Sequence, residues 1–180
     1  MSKGLKKTFS VVSTILVVVA VLLAVALVGV RVVGYTPYTI LSGSMEPTYH
    51  VGSLIYVKKI DPASLEVGDP ITFALDENAI ATHRIVEIVP DEEDASVLRF
   101  RTKGDANETV DGSLVHYKNV IGKPVFTVPY LGYVADYIQH PPGMYTAIAA
   151  GVILLLLVFI PDLFDDDKDK KKKKDKPAEE

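Results

Sequence analysis

A mainly β fold is what this sequence predicts: a small curled sheet or partial barrel carried between two membrane-crossing helices. Three observations lead there. Short runs of β-branched and aromatic residues, separated by turn residues, fill the middle of the chain. An uncharged apolar run precedes them and a second one comes after. No stretch of helical period and useful length interrupts the middle.

The first element is the run after Lys3, Lys6 and Lys7, which continues without a charge from Phe9 to Val30. About 20 residues at 1.5 Å each cross a hydrocarbon core of ~30 Å, so residues 9–33 are expected to form a transmembrane helix. Ala24-Val25-Ala26 has the small-x-small form of a signal-peptide cleavage site, but the apolar stretch runs past it to Val33. The lysines ahead of the helix keep residues 1–8 in the cytoplasm and put the chain beyond Arg31 outside. Tyr35 and Tyr38 then fall at headgroup depth, and chain reach places Ser44 close to the outer membrane surface.

Strands are expected at Leu54–Val57, Ile71–Leu75, Ala81–Val89, Val97–Thr102 and Tyr117–Val128. Asp61-Pro62, Gly68-Asp69 and Asp76-Glu77-Asn78 punctuate them, with an acidic loop at Asp91–Asp94 and a polar loop at Gly104–Ser113. Residues 34–142 are therefore one β-rich extracytoplasmic domain. The second apolar run, residues 143–160, is short for a crossing but uncharged from Met144 onward, with Tyr137 and Tyr145 beside it as anchors. Residues 161–180 alternate aspartate and lysine and read as a charged, disordered cytoplasmic tail.

Composition narrows the chemistry. The 180 residues are 48% hydrophobic with no cysteine, which removes disulfides, thiolate metal sites and a cysteine nucleophile. The mean hydropathy of +0.24 agrees with membrane segments. Lysine-rich ends flank a slightly acidic middle with no basic stripe among aromatics, so no nucleic-acid partner is expected. No cofactor or metal is expected either.

Ser42-Gly43-Ser44-Met45-Glu46-Pro47-Thr48 displays a serine on a small-residue turn that Pro47 stiffens, the presentation that a nucleophilic hydroxyl needs. A serine needs a base to take its proton, and the candidates are four histidines, at positions 50, 83, 116 and 140, together with the lysines. His83 lies in a strand pattern that can hold an imidazole rigidly toward one face, whereas His50 is closer to Ser44 in sequence. A carboxylate accepting the far N–H of the imidazole would come from the loop after Lys103, where Asp105 and Asp111 are equally available.

Four segments occur in the order used by type I signal peptidases and resemble theirs: S-G-S-M-E-P-T at 42–48, G-D-x-I-T-F at 68–73, H-R-I-V at 83–86 and K-G-D-A-N-x-x-x-D at 103–111. Histidine at position 83, where bacterial members carry lysine, is similar to the endoplasmic-reticulum and archaeal branch, also seen in some spore-forming Gram-positive bacteria. The resemblance implies Ser44 as nucleophile, His83 as general base and Asp111 as the carboxylate partner, with Asp105 a structural or substitute acid. It implies the Ser44 N–H and the Ser42 hydroxyl as oxyanion donors, and Ile40 and Leu41 beside the substrate. Pro70 departs from the family pattern, where a branched aliphatic is usual; it should break its strand or put it at an edge.

The implied reaction is hydrolysis of membrane-tethered preproteins after small-x-small sites, so the expected partners are signal-peptide-bearing preproteins, the lipid bilayer and the secretion translocon. A self-cleaving Ser-Lys protein of related fold is weakened by the two spans and by His83. A membrane-tethered β domain that only binds partners would keep the fold without needing Ser44.

Overall fold

The computed structural model describes residues 3–77, 79–91 and 97–174. In chain order these form helix α1 (Lys3–Leu27), strands β1 (Tyr35–Thr39), β2 (Leu54–Lys58), β3 (Pro70–Ala74), β4 (Ile80–Pro90), β5 (Leu98–Lys103), β6 (Val115–His116) and β7 (Val120–Val128), then helices α2 (Leu131–Gln139) and α3 (Gly143–Lys174). The strands and α2 as far as Tyr137 lie in one unit, Ala26–Tyr137, and the helical segments before and after it in a second.

Seven strands make one antiparallel sheet in the order β1-β2-β7-β3-β4-β5-β6. Strand β7 joins its two halves, pairing with β3 through Val120 and Gly122 and with β2 from Lys123 to Val128. Register shifts at Tyr56/Val57 on β2, Thr72/Phe73 on β3 and Ile85/Glu87 on β4 each add local bend and twist. The outcome is a curled half-barrel, as the strand pattern predicts.

Burial explains why β2 reads as a continuous apolar run rather than an alternating one. Ile55 and Val57 pack with Ile40, Met45 and Tyr49 on one face, while Leu54 and Tyr56 meet Ala135 and Leu131 of α2, with Leu27 and Val30, on the other. Gly132 of α2 lies so close to β2 that a Cβ there would sit 2.5 Å from the Ser53 carbonyl. The far half of the sheet has its own core of Leu65, Ile71, Phe73, Ile85, Phe100 and Val115. Each such side chain contributes about 1.5–3 kcal/mol by leaving water.

Several boundaries differ from expectation. Helix α1 stops at Leu27, and Gly29–Val33 form a separate 3-10 turn ended by Gly34 at φ 87°. Over Lys7–Leu27 the mean hydropathy is 2.9, long and apolar enough to cross a membrane. Its Thr8 and Thr14 hydroxyls donate to the carbonyls four residues back, which satisfies them within the helix. Tyr35 and Tyr38 belong to β1, an edge strand, where Tyr38 packs on the Ile40–Met45 cluster. Pro70 opens β3, where its missing N–H is tolerated, and β3 lies inside the sheet rather than at an edge.

Helix α3 continues to Lys174, into the segment expected as a disordered tail; after Pro161 that segment contains no glycine or β-branched residue, and lysine favours helix. Of the acidic loop, Asp91 pairs with Arg99. Its residues 92–94, the first two residues of the chain and the tail residues 175–180 lie outside the described residues.

Candidate active site

Ser44 sits in a 3-10 turn, Gly43–Met45, just after the sheet's edge strand β1. The turn is anchored by Met45, which is buried in the core. Glu46 is extended, at φ −63° and ψ 145°, as the residue before a proline should be. Its carboxylate binds the His50 ring and the Val51 N–H, closing the 46–51 segment on itself. His50 is thereby engaged away from Ser44.

His83 comes from the middle of β4, opposite Ile71 of β3, and its ring stands edge-on to buried Phe73 at 6.3 Å between centroids. The imidazole is 3.1 Å from the Ser44 Oγ through Nε2 and 2.6 Å from the Asp111 Oδ2 through Nδ1. An ionised carboxylate only accepts, so Nδ1 carries the proton and Nε2 presents its lone pair to the Ser44 hydroxyl. The His83 and Asp111 side chains are 15% and 25% exposed, so the pair is sheltered by the sheet yet open on one side.

The two loop carboxylates have separate partners. Asp111 belongs to His83, and its N–H donates to the Thr102 carbonyl at 2.8 Å while the Thr102 hydroxyl donates to its Oδ2 at 2.6 Å. Asp105 is gripped by Arg84, whose Nε and Nη2 reach its two oxygens at 2.8 and 2.6 Å, and by the Thr48 hydroxyl. The hydrogen bonds from Arg84 hold the Asp105 carboxyl below its ordinary range; burial pushes the other way, and Thr48 adds to the lowering.

Arg84 also donates to the Gly68 carbonyl at 2.7 Å, so one guanidinium ties together the Gly68-Asp69 turn, the Ser44 segment through Thr48 and the carboxylate loop. Asp69 is itself paired with Lys123. Although burial raises its carboxyl, the hydrogen bonds from Lys123 and the Glu66 N–H prevail and hold it low.

The carboxylate loop docks directly on the Ser44 turn. The Ala106 N–H donates to the Ser44 carbonyl at 2.9 Å, and Gly104 lies so close that a Cβ would stand 2.5 Å from the same oxygen. The Ser42 hydroxyl is 3.3 Å from the Ser44 Oγ, on the same side of the turn. Ile40 is a core residue, 8% exposed, with its N–H and carbonyl both bonded to the 52–53 segment, whereas Leu41 is 74% exposed. Of the two, Leu41 is the one exposed at the surface. Among the described residues no three His, Asp or Glu side chains group to hold a metal ion.

Arg84, Thr48, Thr102 and Gly104 complete the site, and sequence reasoning assigned none of them a role. Arg84 and Gly104 lie within recognisable segments, but their partners are set by tertiary contact. Thr102 looks like any strand threonine.

A family model described as signal peptidase, peptidase S26, matches residues 11–130. Signal peptidase I W of Bacillus subtilis (strain 168) is 49% identical over 90 residues, covering 49% of this chain and 46% of that protein. The signal peptidase complex catalytic subunit SEC11C of Rattus norvegicus and that of Homo sapiens are each 30% identical over 119 residues, covering 62% of this chain and 61% of theirs. The matched stretch thus spans about half to three fifths of these relatives' length.

Proposed function

The chain belongs to the signal peptidase family, peptidase S26, and on that footing we propose that it is a membrane-anchored serine endopeptidase that removes signal peptides from preproteins. The observation that carries the proposal is the continuous relay from Ser44 Oγ through the His83 ring to Asp111, with contacts of 3.1 and 2.6 Å.

In this mechanism the Ser44 oxygen attacks the scissile carbonyl while Nε2 of His83 takes its proton. The imidazolium so formed is stabilised by Asp111, which stays ionised. Negative charge on the carbonyl oxygen is met by the Ser44 N–H and the Ser42 hydroxyl, whose distance of 3.3 Å from the Ser44 Oγ suits a donor beside the reacting carbon. Collapse of the tetrahedral intermediate breaks the peptide bond, and His83 delivers its proton to the departing amine. Water then attacks the Ser44 ester with His83 again as base, releasing the signal peptide and restoring the hydroxyl.

Position and size select the substrate. Leu41, exposed next to Ser42, is assigned to the substrate channel, and shallow apolar subsites accept alanine-sized side chains on the first and third residues before the cleaved bond. Helix α1 supplies the membrane anchor. We assign α3 as a second span over residues 143–160, so the chain is multi-pass, with both ends cytoplasmic by the lysine bias and the β unit outside. Preproteins delivered by the secretion translocon are then presented at the membrane surface.

Cleavage of a model preprotein by the detergent-solubilised full chain tests this. Product termini should map after a small-x-small sequence, and a bulky residue at either small position should block the reaction. Ser44→Ala and His83→Ala should each abolish it. Cleavage that survives Ser44→Ala, or that ignores the small residues, would sink the proposal.

A further inference from the structure

We infer that Thr102 is a positioning residue for the relay, holding the Asp111 carboxylate in the one orientation that serves His83. The inference rests on the proposed peptidase reading and deepens it.

Asp111 lies in the loop between β5 and β6, with a side chain 25% exposed, so the loop alone gives its carboxylate little rigidity. Thr102, by contrast, is fully buried on β5 and paired in register with Ile85 of β4, two residues along from His83. It grips Asp111 at both ends. Its carbonyl accepts the Asp111 N–H at 2.8 Å, and its hydroxyl donates at 2.6 Å to Oδ2, the oxygen that also faces Nδ1 of His83 at 2.6 Å.

Two donors on one carboxylate oxygen fix where that oxygen stands. Threonine suits the task because its branched Cβ restricts χ1, so the hydroxyl is aimed before the carboxylate arrives. The other fully buried threonine, Thr72, shows the ordinary alternative: its hydroxyl pairs with that of Thr82 at 2.8 Å and touches none of the relay. Without the Thr102 hydroxyl, Asp111 can rotate toward solvent on its open side. The His83 ring then loses both the acceptor that sets its tautomer and the charge that stabilises the imidazolium. Because Thr102 is buried, substrate binding should be unaffected.

The test is steady-state cleavage of an Ala-x-Ala peptide by the detergent-solubilised full chain, with kcat and KM resolved. Thr102→Val and Thr102→Ala should each lower kcat roughly ten- to hundredfold, the range for removing one hydrogen bond to a charged group, with KM nearly unchanged. Thr102→Ser, which keeps the hydroxyl, should retain most of the activity. In an Asp111→Ala background the Thr102 substitutions should cost little more, because the group they position is gone. A wild-type kcat in both hydroxyl-free variants, or an equal loss with and without Asp111, overturns the inference. Cleavage by the wild type that is abolished by Ser44→Ala shows that the peptidase reading itself stands, so the two failures are distinguishable.

Discussion

Replacing Gly104 by alanine should displace Ser44 without changing it chemically. The added Cβ would stand 2.5 Å from the Ser44 carbonyl oxygen and 2.7 Å from the Asn107 Nδ2. The Asn107 amide is a side-chain end and can swing aside, but the carbonyl is backbone and carries the Ala106 N–H bond with it. To reach even a tight contact, the Ser44 carbonyl and the Gly104 backbone must part by at least about half an ångström, and ordinary contact needs nearly twice that. A misplacement of about 1 Å at a reacting group costs on the order of a hundredfold in rate. Gly104→Ala should therefore lower kcat by roughly ten- to a hundredfold while costing about 1–3 kcal/mol of stability, the usual range for overpacking. Gly112→Ala, in the same loop but with nothing within 4 Å of its added Cβ, is the control and should behave as wild type. The assay is single-turnover cleavage of a preprotein, with thermal unfolding measured on the same samples. A Gly104→Ala variant with undiminished kcat would refute the close docking of the two loops.

The same contacts predict other perturbations. Asp105, whose carboxyl Arg84 holds low, contributes stability that is present above its unfolded pKa of about 3.9 and lost as pH falls through the lower folded value. Asp105→Asn should be less stable at pH 7, by about 1–3 kcal/mol for a partly exposed pair, and should show a shallower loss of stability below about pH 4 in thermal melts. His83→Lys should be inactive in the cleavage assay, because Asp111 and the Thr102 cradle favour a charged ammonium and leave no free base. His50→Ala and His116→Ala should cleave at near wild-type rates, since neither ring bonds to Ser44, His83 or Asp111. Gly52→Ala, at φ +80° with its Cβ 2.0 Å from the Tyr133 ring, should strain the turn before β2, push that exposed ring aside and lower the melting temperature by several degrees.

Much of the β unit was legible because turn residues punctuate it, and β2 to β5 and β7 fall within a few residues of where β-branched runs place them. Strand β1 was not. Tyr35-Thr36-Pro37-Tyr38-Thr39 carries a central proline, which argues against a strand until β1 is seen to be an edge paired only with β2. Helix α2 has apolar residues at helical spacing, Leu131, Val134, Ala135 and Ile138, but its nine residues, with Gly132 among them, make too short a period to stand out beside the strands. The two residues of β6 are too few to announce themselves. At the site, Ser44 and His83 stood out by residue type and local pattern. On the residues alone Asp105 and Asp111 stood level, and the family resemblance pointed to Asp111; the structure pairs Arg84 with the first and His83 with the second, a tertiary contact that no local pattern announces.

Active-site labelling tests the central claim most directly. A small-x-small peptide ending in a serine-reactive electrophile is incubated with the full chain in detergent, and the adduct is located by peptide mass mapping. The relay predicts a single adduct on Ser44 whose rate of formation collapses in His83→Ala and falls in Asp111→Ala. An adduct on another residue, or labelling of Ser44 at an unchanged rate without His83, would contradict it.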